Sequence, residues 1–366
     1  MEFTHELREW VDGQARAAGF DLAEVASVPE SGSAAADEAR QRFAEWVAAG
    51  RSGEMEWLKR ADESGEMLRG DLLRAMPWAR SVVVCAMNYN ADAPLSIDSA
   101  DARAGWIARY AWSGNEGKGA DYHDVLLPRL KVVESEIKQR FGEGCETRCY
   151  VDTGPIVERG YAARAGVGWI GKNTCVLNQE MGSWLLLGVI VTSIPVADGA
   201  WALPAADRCG SCTRCIDACP TDALVAPRQM DASLCIAYLT IEKKGSIAEE
   251  LRGQMGRQVF GCDICQDVCP WNGRAPVVRE GALLPRGELM NPALEWLASM
   301  DGPAFKRWFR GSPLERTGRK RLLRNVAIAM GNSREREFLP RLVEWAASED
   351  TVLAEAATWA IGQIEH

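Results

Sequence analysis

Cys209-Gly-Ser-Cys212-Thr-Arg-Cys215-Ile-Asp-Ala-Cys219-Pro220 is a C-x2-C-x2-C-x3-C-P run, and a second set follows it: Cys235, then Cys262-Asp-Ile-Cys265-Gln-Asp-Val-Cys269-Pro270. Three cysteines with two residues between each wrap one loop around the face of an iron–sulfur cubane. The fourth lies beyond a turn, and the proline after it directs the chain away. Two [4Fe–4S] clusters need eight thiolates, and this segment supplies eight. Structural zinc is the competing reading. Zinc prefers paired C-x2-C knuckles with an even ligand split, which this run does not offer.

In two-cluster runs of this spacing the cysteine before the proline ligates the other cluster. The expected sets are therefore Cys209, Cys212, Cys215 and Cys269, and Cys219, Cys235, Cys262 and Cys265. Clusters of this kind move single electrons, so another part of the chain must use them. Four cysteines remain. Cys85 sits in an apolar strand and reads as a core residue, Cys145 and Cys149 flank a strand start, and Cys175 follows a Gly-rich loop; a structural role is expected for each.

Working outward, the chain has 366 residues, twelve cysteines and only three histidines (His5, His123, His366). A composition of 47% hydrophobic and 25% charged residues excludes a disordered or fibrous chain, and a net charge of −9 argues against a surface that is basic throughout. The stretch from Met1 to Phe20 is amphipathic and charged, unlike a secretory or twin-arginine signal. The longest apolar run, around Trp184–Val191, is far short of the ~20 residues a membrane span needs. The expectation is a soluble cytoplasmic monomer with no membrane contact, whose thiols stay reduced.

Cysteine density places expected boundaries near 200 and 275. Before 200, helical spacing covers Thr4–Ala17, Ala36–Ala48 and Asp121–Phe141. Buried strands are expected at Ser81–Met87 and Leu185–Thr192, and a strand-like stretch at Glu146–Asp152. Helices alternating with strands predict an α/β domain over 1–200, ahead of a ferredoxin-like domain over 201–275. Residues 276–366 are expected to be helical, with Ser333 and Ser348 as N-caps. Val326-Ala-Ile-Ala-Met-Gly331 resembles Ala357-Thr-Trp-Ala-Ile-Gly362. Stacked HEAT-like helices or an ordinary helical cap would both produce that pattern.

Gly166-Val-Gly168-Trp169-Ile-Gly171-Lys172-Asn173 fits G-x-G-x-x-G. It follows a helix-like stretch (Ile156–Ala165) instead of a strand and has no acid about twenty residues on, so a dinucleotide site is not expected. The glycines suit a backbone passing close to a large flat ligand. Asp152 ends a strand before Gly154-Pro155. One reading makes it a helix N-cap; the other makes it a buried, protonated general acid. His123 opens a helix and reads as a satisfied histidine, with Asp121 as its cap.

Together these motifs resemble the epoxyqueuosine reductases, cobalamin-dependent iron–sulfur enzymes of tRNA queuosine synthesis. The resemblance is carried by Asp121-Tyr122-His123, Val151-Asp152-Thr153-Gly154-Pro155, the Gly166–Asn173 loop and both cysteine sets. Tyr238-Leu-Thr-Ile-Glu242, Gly261-Cys262-Asp263-x-Cys265-Gln266 and Leu323-Arg324-Asn325-Val326-Ala-Ile-Ala-Met-Gly331-Asn332 also match, so it spans nearly the whole chain.

The resemblance implies cobalamin between the N-terminal and ferredoxin-like domains, with no histidine beneath cobalt (base-off). It implies the Gly166–Asn173 loop as the corrin's bed, and contacts at Arg69, Ala108, Asp152, Asn173, Val176 and Leu187. It implies electrons passing through the two clusters from an unidentified donor protein, and Asp152 as proton donor. The Ser113–Gly119 insert departs from the family pattern. The substrate implied is a tRNA anticodon loop. Residues 305–324 carry Lys306, Arg307, Arg310, Arg316, Arg319, Lys320, Arg321 and Arg324 against Glu315 alone, an expected phosphate-binding patch to which Lys243 and Lys244 add. Two other readings compete: a cobalamin-dependent reductive dehalogenase, and a non-enzymatic electron carrier that would leave most of the chain unexplained.

Overall fold

The computed structural model describes every residue except 116, 117, 201, 202, 279 and 280. Parts of the Ser113–Gly119 insert and of the two expected linkers therefore lie outside the described residues. The elements that position the site begin with helix α1 (His5–Ala17), capped by the Thr4 hydroxyl, strand β1 (Leu22–Ser27) and helix α2 (Ala34–Ala48). Strand β2 (Ser81–Asn88), helix α3 (Tyr122–Phe141), strand β3 (Thr147–Tyr150), helix α4 (Glu158–Arg164) and strand β4 (Leu185–Thr192) complete the first part. Among these, only β1 has no counterpart in the sequence-based expectations.

The four strands form one sheet in the order β1-β2-β4-β3, antiparallel throughout. The mixed α/β character holds, but the carboxyl-end rule for parallel sheets does not transfer to this arrangement. All residues of β2 are buried, and they alternate between two layers. Val83, Cys85 and Met87 face a core shared with α1 and α3, through Val11, Leu126, Leu130 and Ile137. Val82, Val84 and Ala86 face a second core with Ile156 and with Ala162 of α4. That alternation is the period-2 geometry of a strand covered on both faces. Gly188 lets α3 approach: a Cβ there would stand 2.8 Å from Leu130 Cδ1. Cys85 is a core residue, as its apolar setting suggested.

A third core does not divide at 200 or 275. It joins Trp106, Ile107 and Trp112 to Ile236, Leu239, Val259 and Phe260, and to the helices after residue 289. A short parallel ladder pairs Trp106–Ile107 with Gln258–Phe260. The terminal helices are α5 (Arg319–Ser333), α6 (Leu339–Ala346) and α7 (Thr351–Glu365). The two similar segments fall on α5 and α7, which pack so closely that a Cβ on Gly331 would stand 2.7 Å from Ala360 Cα. A packed pair of this kind is common to both expectations, stacked HEAT-like helices and an ordinary helical cap. The expected serine caps are displaced. Ser333 ends α5, where its hydroxyl donates to Met330 O, and Asp350, not Ser348, caps α7. Among the described residues no helix is long and apolar enough to cross a membrane.

α5 anchors the third core through two polar side chains. Asn325 is fully buried and donates to Thr240 O and Val259 O, both at 2.9 Å. Arg324, 1% exposed, donates to Leu239 O (2.6 Å), Lys243 O (2.9 Å) and Gly245 O (2.7 Å). These bonds satisfy the carbonyls that end the Ile236–Ile241 helix. Replacing Asn325 by alanine strands two buried carbonyls. The expected cost is about 2–4 kcal/mol, read as a lowered urea midpoint with an unchanged slope.

Candidate functional site

All twelve cysteines are free thiols, and the eight of the two runs sort into two groups. Burial pushes the Cys215 thiol up, and its neighbours Cys269 and Cys209 push it further. Cys269 is raised by burial and feels Cys209 and Cys212. In the other group, burial raises Cys262 well above the ordinary range, with Cys235 and Cys219 beside it. Cys265 is raised by burial and feels Cys262, Cys235 and Cys219. Cys269 thus lies near the thiols of the first run, and Cys219 near Cys262 and Cys265. Among the described residues no three ligand side chains converge tightly enough for a single ion. The donors are all sulfur, which suits iron–sulfur clusters.

The Gly166–Asn173 loop docks on this segment. Trp169 Nε1 donates to Cys209 Sγ at 3.4 Å, Lys172 Nζ to Gly210 O at 2.7 Å, and Asn173 Nδ2 to Cys265 O at 3.2 Å. Gly166, at φ +83°, follows the end of α4, and a Cβ on Gly168 would stand 2.2 Å from Leu177 O, so the chain's own packing already requires glycine there. Cys175 lies between the two thiol groups: burial raises it, and both Cys235 and Cys215 act on it.

Asp152 stands two residues beyond β3, exposed, with a left-handed φ of 54°. Neither sequence-level reading of it survives intact. Helix α4 starts only at Glu158, with Val157 at its N-cap, so Asp152 caps nothing there. Nor is Asp152 buried. Its partner is the Tyr122 hydroxyl, which donates to Oδ2 at 3.1 Å.

Around Asp152 gather groups that sequence reasoning did not assign. Glu158 is 9% exposed, and its buried Oε1 has no hydrogen-bond partner. Burial, then the Asp152 charge, pushes its carboxyl up to about 7. Arg69 donates to Ile156 O at 3.0 Å and stands 5.0 Å over the Trp57 ring. Burial lowers its pKa, while Glu158 and Asp152 oppose that. His123 sits close by. Its Nδ1 is 2.8 Å from Asp121 Oδ1, and its ring stacks on Tyr122 with centroids 4.1 Å apart. Burial lowers His123, and the Asp152 charge opposes the fall. From the helical tail, Arg316 pairs with Asp121 and lies over the Tyr122 ring.

The other expected cofactor contacts lie deeper. Ala108 is buried against Gly261, and Val176 and Leu187 belong to the apolar layer of the second core. Asn173 is buried, and its amide oxygen accepts from the Cys175 N–H.

The basic segment divides by what each side chain does. Lys306, Arg307, Arg310 and Lys320 are exposed. Arg319 is half-buried and donates to Met300 O at 2.6 Å; Arg321 donates to Thr317 O and Ile241 O, both at 2.7 Å. Arg324 is fully engaged inside the third core and offers no face to a phosphate, contrary to the charge-run reading. The signal was present: Arg324 and Asn325 interrupt an apolar run from Leu322 to Met330. Lys243 is spent on Glu54.

Comparison with known proteins adds two family models and a set of full-length relatives. Residues 208–272 match a 4Fe-4S double cluster binding domain, and residues 69–153 match the model described as epoxyqueuosine reductase QueG, DUF1730. An epoxyqueuosine reductase of Xanthomonas campestris pv. campestris is 37% identical over 95% of this chain and 94% of its own. That of Synechocystis is 40% identical over 79% of this chain and 94% of its own. A crystal structure of an epoxyqueuosine reductase with an epoxyqueuosine-modified tRNA-Tyr stem loop superposes with a TM-score of 0.85 at 31% identity, covering 99% of this chain and 91% of that one. The Bacillus subtilis enzyme, with its catalytic aspartate loop swung out of the active site, gives 0.84 at 29% identity, covering 98% and 91%.

Glu158 makes a pH-dependent prediction. Its folded pKa, about 7, lies above the ordinary 4.5. The native state therefore holds a proton that the unfolded chain gives up, and stability falls as pH rises across that window. Glu158→Gln removes the deficit. Thermal unfolding of cofactor-free protein should show the variant gaining on the parent between pH 5 and pH 8, by at most about 3 kcal/mol. A gap independent of pH would refute the assignment.

Proposed function

The chain belongs to the epoxyqueuosine reductase family, and on that premise we propose that it reduces epoxyqueuosine, at the wobble position of a tRNA anticodon, to queuosine. The reaction takes two electrons and two protons: the epoxide oxygen leaves as water and the ring carbons it bridged become an alkene. Cys209, Cys212, Cys215 and Cys269 would hold one [4Fe–4S] cluster, and Cys219, Cys235, Cys262 and Cys265 the other. The charge of Arg159, next to Glu158, reaches Cys235. That supports the second set as the one nearer the Asp152 site.

The residues around Asp152 fit a large amphipathic cofactor. Glu158 Oε1 is an orphaned acceptor, Arg69 a half-buried guanidinium, and Trp57 and Val157 are exposed apolar side chains. Cobalamin bound there would supply a strongly reducing cobalt centre.

The observation that carries the reading is Asp152 itself. It is an exposed carboxyl in a left-handed turn, oriented by a tyrosine hydroxyl and next to a second acid that keeps its proton near neutrality. Asp152 is the proton donor to the departing oxygen, Tyr122 orients it, and Glu158 holds a second proton close by. The exposed Lys306, Arg307, Arg310 and Lys320 supply phosphate contacts for the stem loop, and Arg316 links that face to Tyr122. Family membership and a basic face both favour RNA over a halogenated small molecule as substrate. The electron donor is a separate redox protein, and the chain acts as a monomer in the cytoplasm.

Anaerobically reconstituted protein should bind cobalamin with a base-off spectrum and convert epoxyqueuosine in a stem loop when given reductant. Asp152→Asn should keep corrin and iron while turnover falls at least ~100-fold; full activity would remove the proton-donor role. Replacing Lys306, Arg307 and Arg310 together by alanine should weaken stem-loop binding. It should also flatten the dependence of affinity on salt by roughly 0.7–0.9 in log–log slope per lost contact. Arg324→Met should lower stability instead, with the salt slope unchanged.

A further inference from the structure

The Gly166–Asn173 loop does not read as a dinucleotide fingerprint, and the approach of Leu177 to Gly168 and Gly171 requires glycine at both. What it presents to the cysteine segment is a set of hydrogen-bond donors. The Trp169 ring is 4% exposed. An indole N–H can only donate, and this one is aimed at the sulfur of the first cysteine in the run, 3.4 Å away.

The ring is fixed from three sides. Trp271, which follows Cys269-Pro270 of the same ligand set, meets it edge-on with centroids 5.1 Å apart and planes at 79°. Lys172 Nζ grips Gly210 O at 2.7 Å, inside the turn that separates Cys209 from Cys212. Arg228 closes the far side, its backbone N–H donating to Lys172 O at 3.1 Å and its Nε to Ile170 O at 3.1 Å. A donor held this firmly, with little water near it, keeps its hydrogen bond whatever the charge on the sulfur.

We infer that Trp169 is a positioning residue of the iron–sulfur relay, whose indole N–H sets the reduction potential of the cluster held by Cys209, Cys212, Cys215 and Cys269. The inference rests on the reading of those thiols as cluster ligands. The physical basis is general. Reduction adds negative charge to the cluster and its thiolates, and a hydrogen bond to a ligand sulfur stabilises that charge. The potential therefore rises with each such bond. Backbone N–H groups reach thiols of both sets, Ile216 to Cys215 and Trp271 to Cys269 in the first, Ala237 and Tyr238 to Cys235 and Ile264 to Cys262 in the second; among the described residues the second set has no indole donor, and its one side-chain contact of this kind is the Thr221 hydroxyl, 3.9 Å from Cys219 Sγ. The bond accordingly makes the two clusters unequal, raising the first relative to the second.

The test is a redox titration of the full-length protein, reconstituted anaerobically and followed by electron paramagnetic resonance. Trp169→Phe keeps the ring packing against Trp271 and deletes only the N–H. With iron content equal to the parent, one cluster's midpoint should move to more negative potential and the other should stay in place. Two unmoved midpoints would overturn the inference. Wild-type protein grown with nitrogen-15-labelled tryptophan provides a reading that no folding defect can blur: the reduced cluster should show hyperfine coupling to an indole nitrogen, and its absence would equally refute the role. A parent protein that never loads two clusters' worth of iron would instead defeat the ligand assignment itself.

Discussion

The two cysteine runs trade a neighbour: Cys219 of the first run lies near Cys262 and Cys265, and Cys269 of the second run lies near Cys209, Cys212 and Cys215. Neither group is complete until the two runs lie against each other. The rest of the structure meets that condition from outside. Asp263, between ligands Cys262 and Cys265, is buried and accepts from the Arg109 N–H at 2.7 Å and from Trp106 Nε1 at 3.1 Å. Burial raises its pKa, with Asp267 adding to the rise, so these donors and the Arg109 charge have to hold it. Asn173, Lys172 and Trp169 hold the runs from the other side.

The same economy explains why the third core ignores the boundaries at 200 and 275. The segment that carries the eight cysteines does not bury its apolar side chains by itself. Ile236, Leu239, Val259 and Phe260 supply what apolar surface it has, and they share it with Trp106, Trp112 and the face of α5. Arg324 and Asn325 then satisfy the backbone where these pieces meet. The Asp152 site inherits this arrangement. Tyr122 comes from α3, Asp152 from the turn after β3, Arg69 from the segment before β2, and Arg316 from the helical tail. The basic tail is thereby joined, by Arg316 over the Tyr122 ring, to the Asp152 carboxyl.

Local pattern explains which parts were legible. β2 and β4 are covered on both faces, so they had to be continuous apolar runs, and they were found to within a residue. α3 is long, capped by Asp121 and striped with Leu126, Leu130, Val133 and Ile137, so its period was plain. β1 was missed because Leu-Ala-Glu-Val-Ala-Ser carries a charge and two alanines, and only its pairing with β2 makes it a strand. The serine caps were missed by two residues because Ser333 and Asp350 bond locally in ways that spacing cannot separate. Arg324 was misplaced because a count of charges does not show which guanidinium turns inward.

Sequence alone settled the chemistry of the sulfur segment, because ligand number and spacing are properties of the local chain. It also settled family membership, because the motifs are contiguous. What only the tertiary structure decided is who meets whom. Asp152 is neither cap nor buried acid, because the turn after β3 leaves it exposed under the Tyr122 hydroxyl. The Gly-rich loop lies against the cysteine segment, because Trp169, Lys172 and Asn173 donate to Cys209, Gly210 and Cys265. The basic run splits into a face and an anchor, because α5 must enter the core. Each of these depends on contacts between residues far apart in the chain, and that information resides in packing and not in spacing.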